Sequence, residues 1–129
     1  MKNSHGRISA LMILLFGIVS ACSKSSSNSS PTSCNFGTDV ITTNTTVPVT
    51  YSASNKNGGT LSSITYFGRN GQVTVVNPTL PWTFTDTLAQ GKTVNITGLG
   101  TAPAGGSLYL TYDVHYTNGV VSNSTGCGN

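Results

Sequence analysis

From Thr38 onward, apolar and polar residues alternate in short runs rich in threonine, valine and tyrosine, with glycine and asparagine between them. A period of two places successive side chains on opposite faces, so each run predicts a half-buried β-strand. Val47, Val49 and Tyr51 share one face; so do Ile64 and Tyr66, Val73 and Val75, Trp82 and Phe84, and Val94 and Ile96. The longest case is residues 108–116, where Leu108, Leu110, Tyr112, Val114 and Tyr116 point one way and Tyr109, Thr111, Asp113 and His115 the other. Arg69-Asn70-Gly71 and Thr117-Asn118-Gly119 carry the Asn-Gly hairpin signal, since both residue types tolerate positive φ. No helical periodicity interrupts the pattern. The expectation is an all-β fold, a small antiparallel β-sandwich of seven or eight strands over residues 34–129, with its core around Trp82.

The N-terminus follows a different pattern. Lys2, His5 and Arg7 precede an apolar run over residues 8–19, closed by Ser20-Ala21-Cys22. Twelve helical residues reach about 18 Å, short of the roughly 30 Å hydrocarbon core, so residues 1–21 suit a removable signal peptide better than a membrane span. Val19-Ser20-Ala21-Cys22 resembles the lipobox of bacterial lipoproteins. That resemblance implies cleavage before Cys22, a thioether-linked diacylglycerol on its thiol, and usually a further acyl chain on the new amino group. Two or three chains, at about 0.8 kcal/mol per buried methylene, hold far more firmly than a single myristoyl group. The expected location is the cell envelope, with the membrane contacted through the lipid on Cys22. Ser23 stands where the enteric sorting rule reads aspartate as inner-membrane retention, which favours the outer membrane in a diderm host. The rest of the segment 22–33, SKSSSNSSPTS after the cysteine, has nothing apolar to bury. It reads as a flexible tether of about 18 Å root-mean-square reach.

Composition narrows the class. Charged residues make up 7% of the chain and glutamate is absent. After removal of the signal, Lys24, Lys56, Arg69 and Lys92 face Asp39, Asp86 and Asp113, a balance of one positive charge. That excludes an electrostatic nucleic-acid footprint. Lipidation of Cys22 accounts for the odd one of three cysteines, and Cys34 and Cys127 are expected to pair, stapling the two ends of the domain. Two free thiols are the alternative. Zinc held by Cys34, Cys127 and His115 would lack a fourth ligand and the close spacing of zinc sites. Cys34, Trp82 and Cys127 are spread over nearly the whole domain, so "immunoglobulin-like" describes its architecture rather than its descent.

One resemblance covers the segment 49–98. Val49-Thr50-Tyr51, Ile64-Thr65-Tyr66, Asn70-Gly71, Leu80-Pro81-Trp82 and Val94-Asn95-Ile96 together resemble the extracytoplasmic domain of the MmpS family, small accessory proteins of mycobacterial lipid and siderophore exporters. The resemblance implies a β-sandwich with a non-catalytic transport role and an envelope or exporter partner. Where that family has a transmembrane helix, this chain has its lipobox.

Chemistry is sparse. Asp113 and His115 share a strand face, but no nucleophile elbow or oxyanion glycine motif accompanies them, so a polar stripe is the expected reading and enzymatic activity is not. Gly58-Gly59 and Gly105-Gly106 lack the lysine and helix of a phosphate cradle and read as turns. Three scattered aspartates do not make a calcium site, and no cofactor is expected. Asp86-Thr87-Leu88 resembles the O-glycosylation acceptor of some Gram-negative phyla. What remains is a binding or transport-accessory module, or alternatively a structural or adhesive surface protein. Phe67 and Tyr109, which alternation turns outward, are the candidate binding residues.

Overall fold

A computed structural model describes residues 30–128, and the domain it describes is all-β. Ten strands follow in chain order: β1 (Thr32–Gly37), β2 (Ile41–Thr42), β3 (Val47–Lys56), β4 (Thr60–Gly68), β5 (Gly71–Val76), β6 (Trp82–Leu88), β7 (Thr93–Val94), β8 (Ile96–Ala102), β9 (Ser107–Tyr116) and β10 (Gly119–Gly128). Eight of them form two four-stranded antiparallel sheets, ordered β1-β8-β4-β5 and β10-β9-β3-β6, and β2 pairs with β7 in a two-stranded ribbon. The proposed signal peptide, Cys22 and most of the tether lie outside the described residues.

Alternation decides what is buried. On β9, Leu108, Leu110, Tyr112 and Val114 are buried while Tyr109 and His115 are exposed, as the sequence pattern requires. On β3, Val47, Val49, Tyr51 and Ala53 are buried from the same sheet, and Ile64, Ile96 and Ala102 meet them from the other. Burying side chains of this size contributes about 1.5–3 kcal/mol each, which fixes the strand register, because a one-residue slip would turn every core side chain to solvent.

Three expectations need correction. The strand count is ten rather than seven or eight, because β1 and β2 precede the alternating runs and because Val94 and Ile96 belong to different strands. The Thr38 hydroxyl accepts from the Ile96 N–H at 3.0 Å, and Asn95 Nδ2 donates to the Thr38 carbonyl at 2.9 Å; these bonds end β7 and start β8. Strand β1 begins inside the segment 22–33 expected as tether, since Thr32 and Ser33 pair with Ala102 and Thr101 at the start of the β1–β8 ladder. The core centres on Tyr51, Tyr112, Ile64 and Leu88, not on Trp82. Trp82 opens β6, a strand with a neighbour on one side only, and is half-buried there with its ring 5.5 Å from that of Tyr66.

Both hairpins form where the Asn-Gly signals stand. Gly68 pairs with Gly71 across Arg69-Asn70, and Tyr116 with Gly119 across Thr117-Asn118. The positive φ falls on the glycines alone, 112° at Gly71 and 146° at Gly119, with neither asparagine in that region. Glycine therefore carries the backbone requirement and asparagine only precedes it.

Cys34 and Cys127 form a disulfide with Cα atoms 5.8 Å apart, joining edge strand β1 of one sheet to edge strand β10 of the other.

Candidate binding surfaces

The two ends of the sandwich differ. Thr32, Ala102, Thr60, Lys56, Ser107 and Gly128 all lie at the end where the chain enters from its N-terminal segment, as the strand registers require. Ten residues of β9 separate that end from the β9–β10 hairpin, about 30 Å at strand rise.

At the far end an open cleft of about 670 Å³ lies between the segment carrying Asn44 and Thr45 and the β9–β10 hairpin with Tyr116, Asn118, Val120 and Val121. Its walls present amides, hydroxyls, a phenol and two exposed valines, and no formal charge. One wall is pinned by buried Thr43, whose hydroxyl donates to the Ala89 carbonyl at 2.7 Å and accepts from the Lys92 N–H at 2.9 Å. Its backbone is held too: the Gly91 N–H donates to the Thr43 carbonyl at 2.8 Å and the Thr43 N–H to the Lys92 carbonyl at 2.9 Å. The other wall is a hairpin whose register runs unbroken from Gly119–Tyr116 to Gly128–Ser107.

A second, smaller cleft of about 240 Å³ opens on the long side of the sandwich, between edge strands β5 and β6. Trp82, Phe84, Asp86 and Leu88 stand opposite Ala53, Tyr51, Val49 and Val47, so β6 turns this whole set toward the core. With only one neighbouring strand, it leaves Phe84 38% exposed. Tyr66 sits beneath, its ring centroid 5.2 Å from that of Phe84 and 5.0 Å from that of Tyr51. The cleft is closed at one end by the buried Asp86 carboxylate. Asp86 accepts from the Arg69 backbone N–H at 2.9 Å, from Arg69 Nε at 2.7 Å and from the Thr87 N–H at 2.8 Å, and Arg69 Nη2 lies 2.7 Å away. Desolvation pushes this carboxyl up, but the bonds from Arg69 and Thr87 together with the guanidinium charge outweigh it and hold Asp86 below the usual carboxylate range. Burial, with Asp86 nearby, raises the Tyr66 and Tyr51 phenols, and the Tyr51 hydroxyl donates to the Phe67 carbonyl at 2.7 Å. These groups fasten the hairpin to the core.

The sequence-derived candidates fall in separate places. Phe67 lies half-buried on the outer face of one sheet, across from Gln72. Tyr109 is 38% exposed on the outer face of the other, beside Gly126, where an added Cβ would come within 3.1 Å of its ring. The two faces look in opposite directions, so these residues do not make one patch. Asp113 accepts from the Ser122 hydroxyl on the neighbouring strand, and His115 Nε2 lies 3.3 Å from Thr50 Oγ1, which in turn bonds Thr85. Serine, histidine and aspartate are thus engaged separately, in a cross-strand polar stripe. In the Asp86-Thr87-Leu88 segment, Asp86 and Leu88 are buried and Thr87 is exposed on an edge strand. Among the described residues no group of three or more His, Cys, Asp or Glu side chains is placed to hold a metal ion.

Sequence reasoning missed the far-end cleft. The signal available was Val120-Val121 directly after the hairpin: adjacent strand residues face opposite ways, and in edge strand β10 both remain exposed, at 55% and 46%. Comparison of the chain with protein-family models, with curated proteins and with solved structures finds no match.

Proposed function

We propose that the chain is a membrane-anchored lipoprotein, lipidated at Cys22, whose β-sandwich serves as a non-catalytic binding or transport-accessory module in the cell envelope. The observation that supports the binding part of this reading is the open, uncharged cleft at the end of the domain opposite the point where the chain enters. A domain tethered by residues 22–31 would present that end away from the lipid surface, toward a partner. The cleft's amides, hydroxyls and valines suit a neutral partner that exchanges hydrogen bonds and covers some apolar area, as non-obligate interfaces do. The engagement of Asp86 with Arg69, Asp113 with Ser122 and His115 with Thr50 agrees with a binding rather than a catalytic role. The partner we propose is another envelope protein, and the MmpS-like pattern over residues 49–98 favours an exporter component. In a diderm host Ser23 favours the outer membrane.

The test places charge in the neutral cleft. Asn44→Lys with Val121→Lys, both at exposed positions, is expected to reduce partner recovery by crosslinking in intact cells at least tenfold, while the thermal midpoint stays within about 2 °C. Undiminished recovery would place the interface elsewhere.

A further inference from the structure

The disulfide bears on more than stability, because of where along its strands it lies. Cys34 is the third residue of β1, and only the Thr32–Ala102 and Ser33–Thr101 pairs precede it in the ladder. Tension entering at Thr32 therefore meets the covalent bridge after two pairs, and from Cys34 onward the bridge shares the load with the rest of the β1–β8 ladder. Cys127, the other half of the bond, is the second-last residue of β10. From Cys127 the strand runs back to Val121 and Val120 in the wall of the far-end cleft. That stretch is already a β-strand. Its rise of about 3.4 Å per residue lies close to the limit of a fully extended chain, so it has almost no slack to give.

We infer that the Cys34–Cys127 disulfide makes β10 a covalent strut between the attached end of the chain and the cleft, so that tension between anchor and bound partner bypasses the folded core. This rests on the reading above, in which the N-terminal segment is anchored and the cleft is occupied. The load path runs through Thr32, Ser33 and Cys34, across the sulfur bridge, and up β10 to the β9–β10 hairpin. Strands β2 to β9 lie inside the closed loop, off that path. Their unfolding would add no length between anchor and hairpin. Without the bridge, the same pull would run through the chain from Thr32 to Asn118 and release roughly 300 Å of it. The added function is the bearing of tension, in which a partner gripped by the β9–β10 hairpin stays at a fixed distance from Cys34 while strands inside the loop are loaded.

Single-molecule force spectroscopy on the full chain tests this, with the chain held at its N-terminus and by a peptide tag inserted between Thr117 and Asn118. The oxidised chain is expected to give no unfolding step longer than about 20 Å. Reductant, or Cys34→Ser with Cys127→Ser, is expected to bring out a step of roughly 270 Å. A long step in the oxidised chain, or equal steps in both states, would overturn the proposal. Moving the tag to the Arg69-Asn70 turn puts the pull inside the closed loop, where the oxidised chain should yield a step of roughly 100 Å. Absence of that step would also overturn it. Reducing the folded wild-type chain keeps the test valid if the double variant does not fold. None of these lengths depends on acylation of Cys22, so failure of the strut and failure of the lipoprotein reading are separable.

Discussion

Asp86 and Arg69 show how one ion pair organises a site in a chain with few charges. The carboxylate is buried and takes three hydrogen bonds, while the guanidinium side chain remains 67% exposed. The pair therefore acts mainly by satisfying backbone N–H groups at the β4–β5 turn and on β6, rather than by Coulomb attraction. Asp86→Ala orphans the Arg69 and Thr87 N–H groups and is expected to cost about 2 kcal/mol, or roughly 10 °C in thermal midpoint for a domain of this size. Because the folded carboxyl titrates below its unfolded value, its contribution is complete above about pH 4 and is lost as pH falls through the lowered folded value. Wild-type stability should thus fall below pH 4 more steeply than that of Asp86→Ala, as chemical denaturation across pH would measure. A second expectation concerns Phe67 and Tyr109: on opposite faces and without common neighbours, Phe67→Ser and Tyr109→Ser should be additive in stability within about 0.5 kcal/mol. A larger coupling would contradict their placement. Outward orientation was legible from alternation for both residues, but not the sheet to which each belongs. The Arg69–Asp86 pair was not legible either, because it needs β6 to lie across from the β4–β5 hairpin, a relation set by sheet packing.

At the scale of elements, legibility followed apolar content. Strand β9 could be read residue by residue, and β3 nearly so, because buried apolar side chains recur at every second position. Strand β1 was hidden in the serine-rich stretch: within Thr32–Gly37 only Cys34 is buried. The strand is held by its ladder to β8 and by the disulfide more than by its own hydrophobicity. Strand β10 buries no residue fully and was legible only through the hairpin before it. Both edge strands therefore depend on the staple. Closing a loop over a sequence separation of 93 contributes at most about 4.6 kcal/mol through the entropy of the unfolded chain. Cys34→Ser with Cys127→Ser is expected to lose about 3–4 kcal/mol in denaturant titration, with hydrogen-exchange protection falling first in β1 and β10. An early loss of protection in β3 or β9 instead would show that the staple supports the core rather than the edges.

At the scale of the whole molecule, a stapled sandwich carries a cleft at the end opposite the entry of its N-terminal segment, where the proposal places the lipid anchor. The fold class and the disulfide partners were readable from alternation and cysteine count. The cleft was not, since it arises where Asn44 and Thr45, after β2, meet the β9–β10 hairpin, 71 or more positions along the chain. The central claim is that this domain works from a lipid anchor, and it is tested most directly by mass spectrometry of the mature N-terminus in protein extracted from membranes. The mature chain is expected to begin at Cys22 with diacylglycerol on its thiol, and Cys22→Ala to leave an uncleaved or unanchored precursor. An unmodified mature chain beginning at any other residue would contradict it.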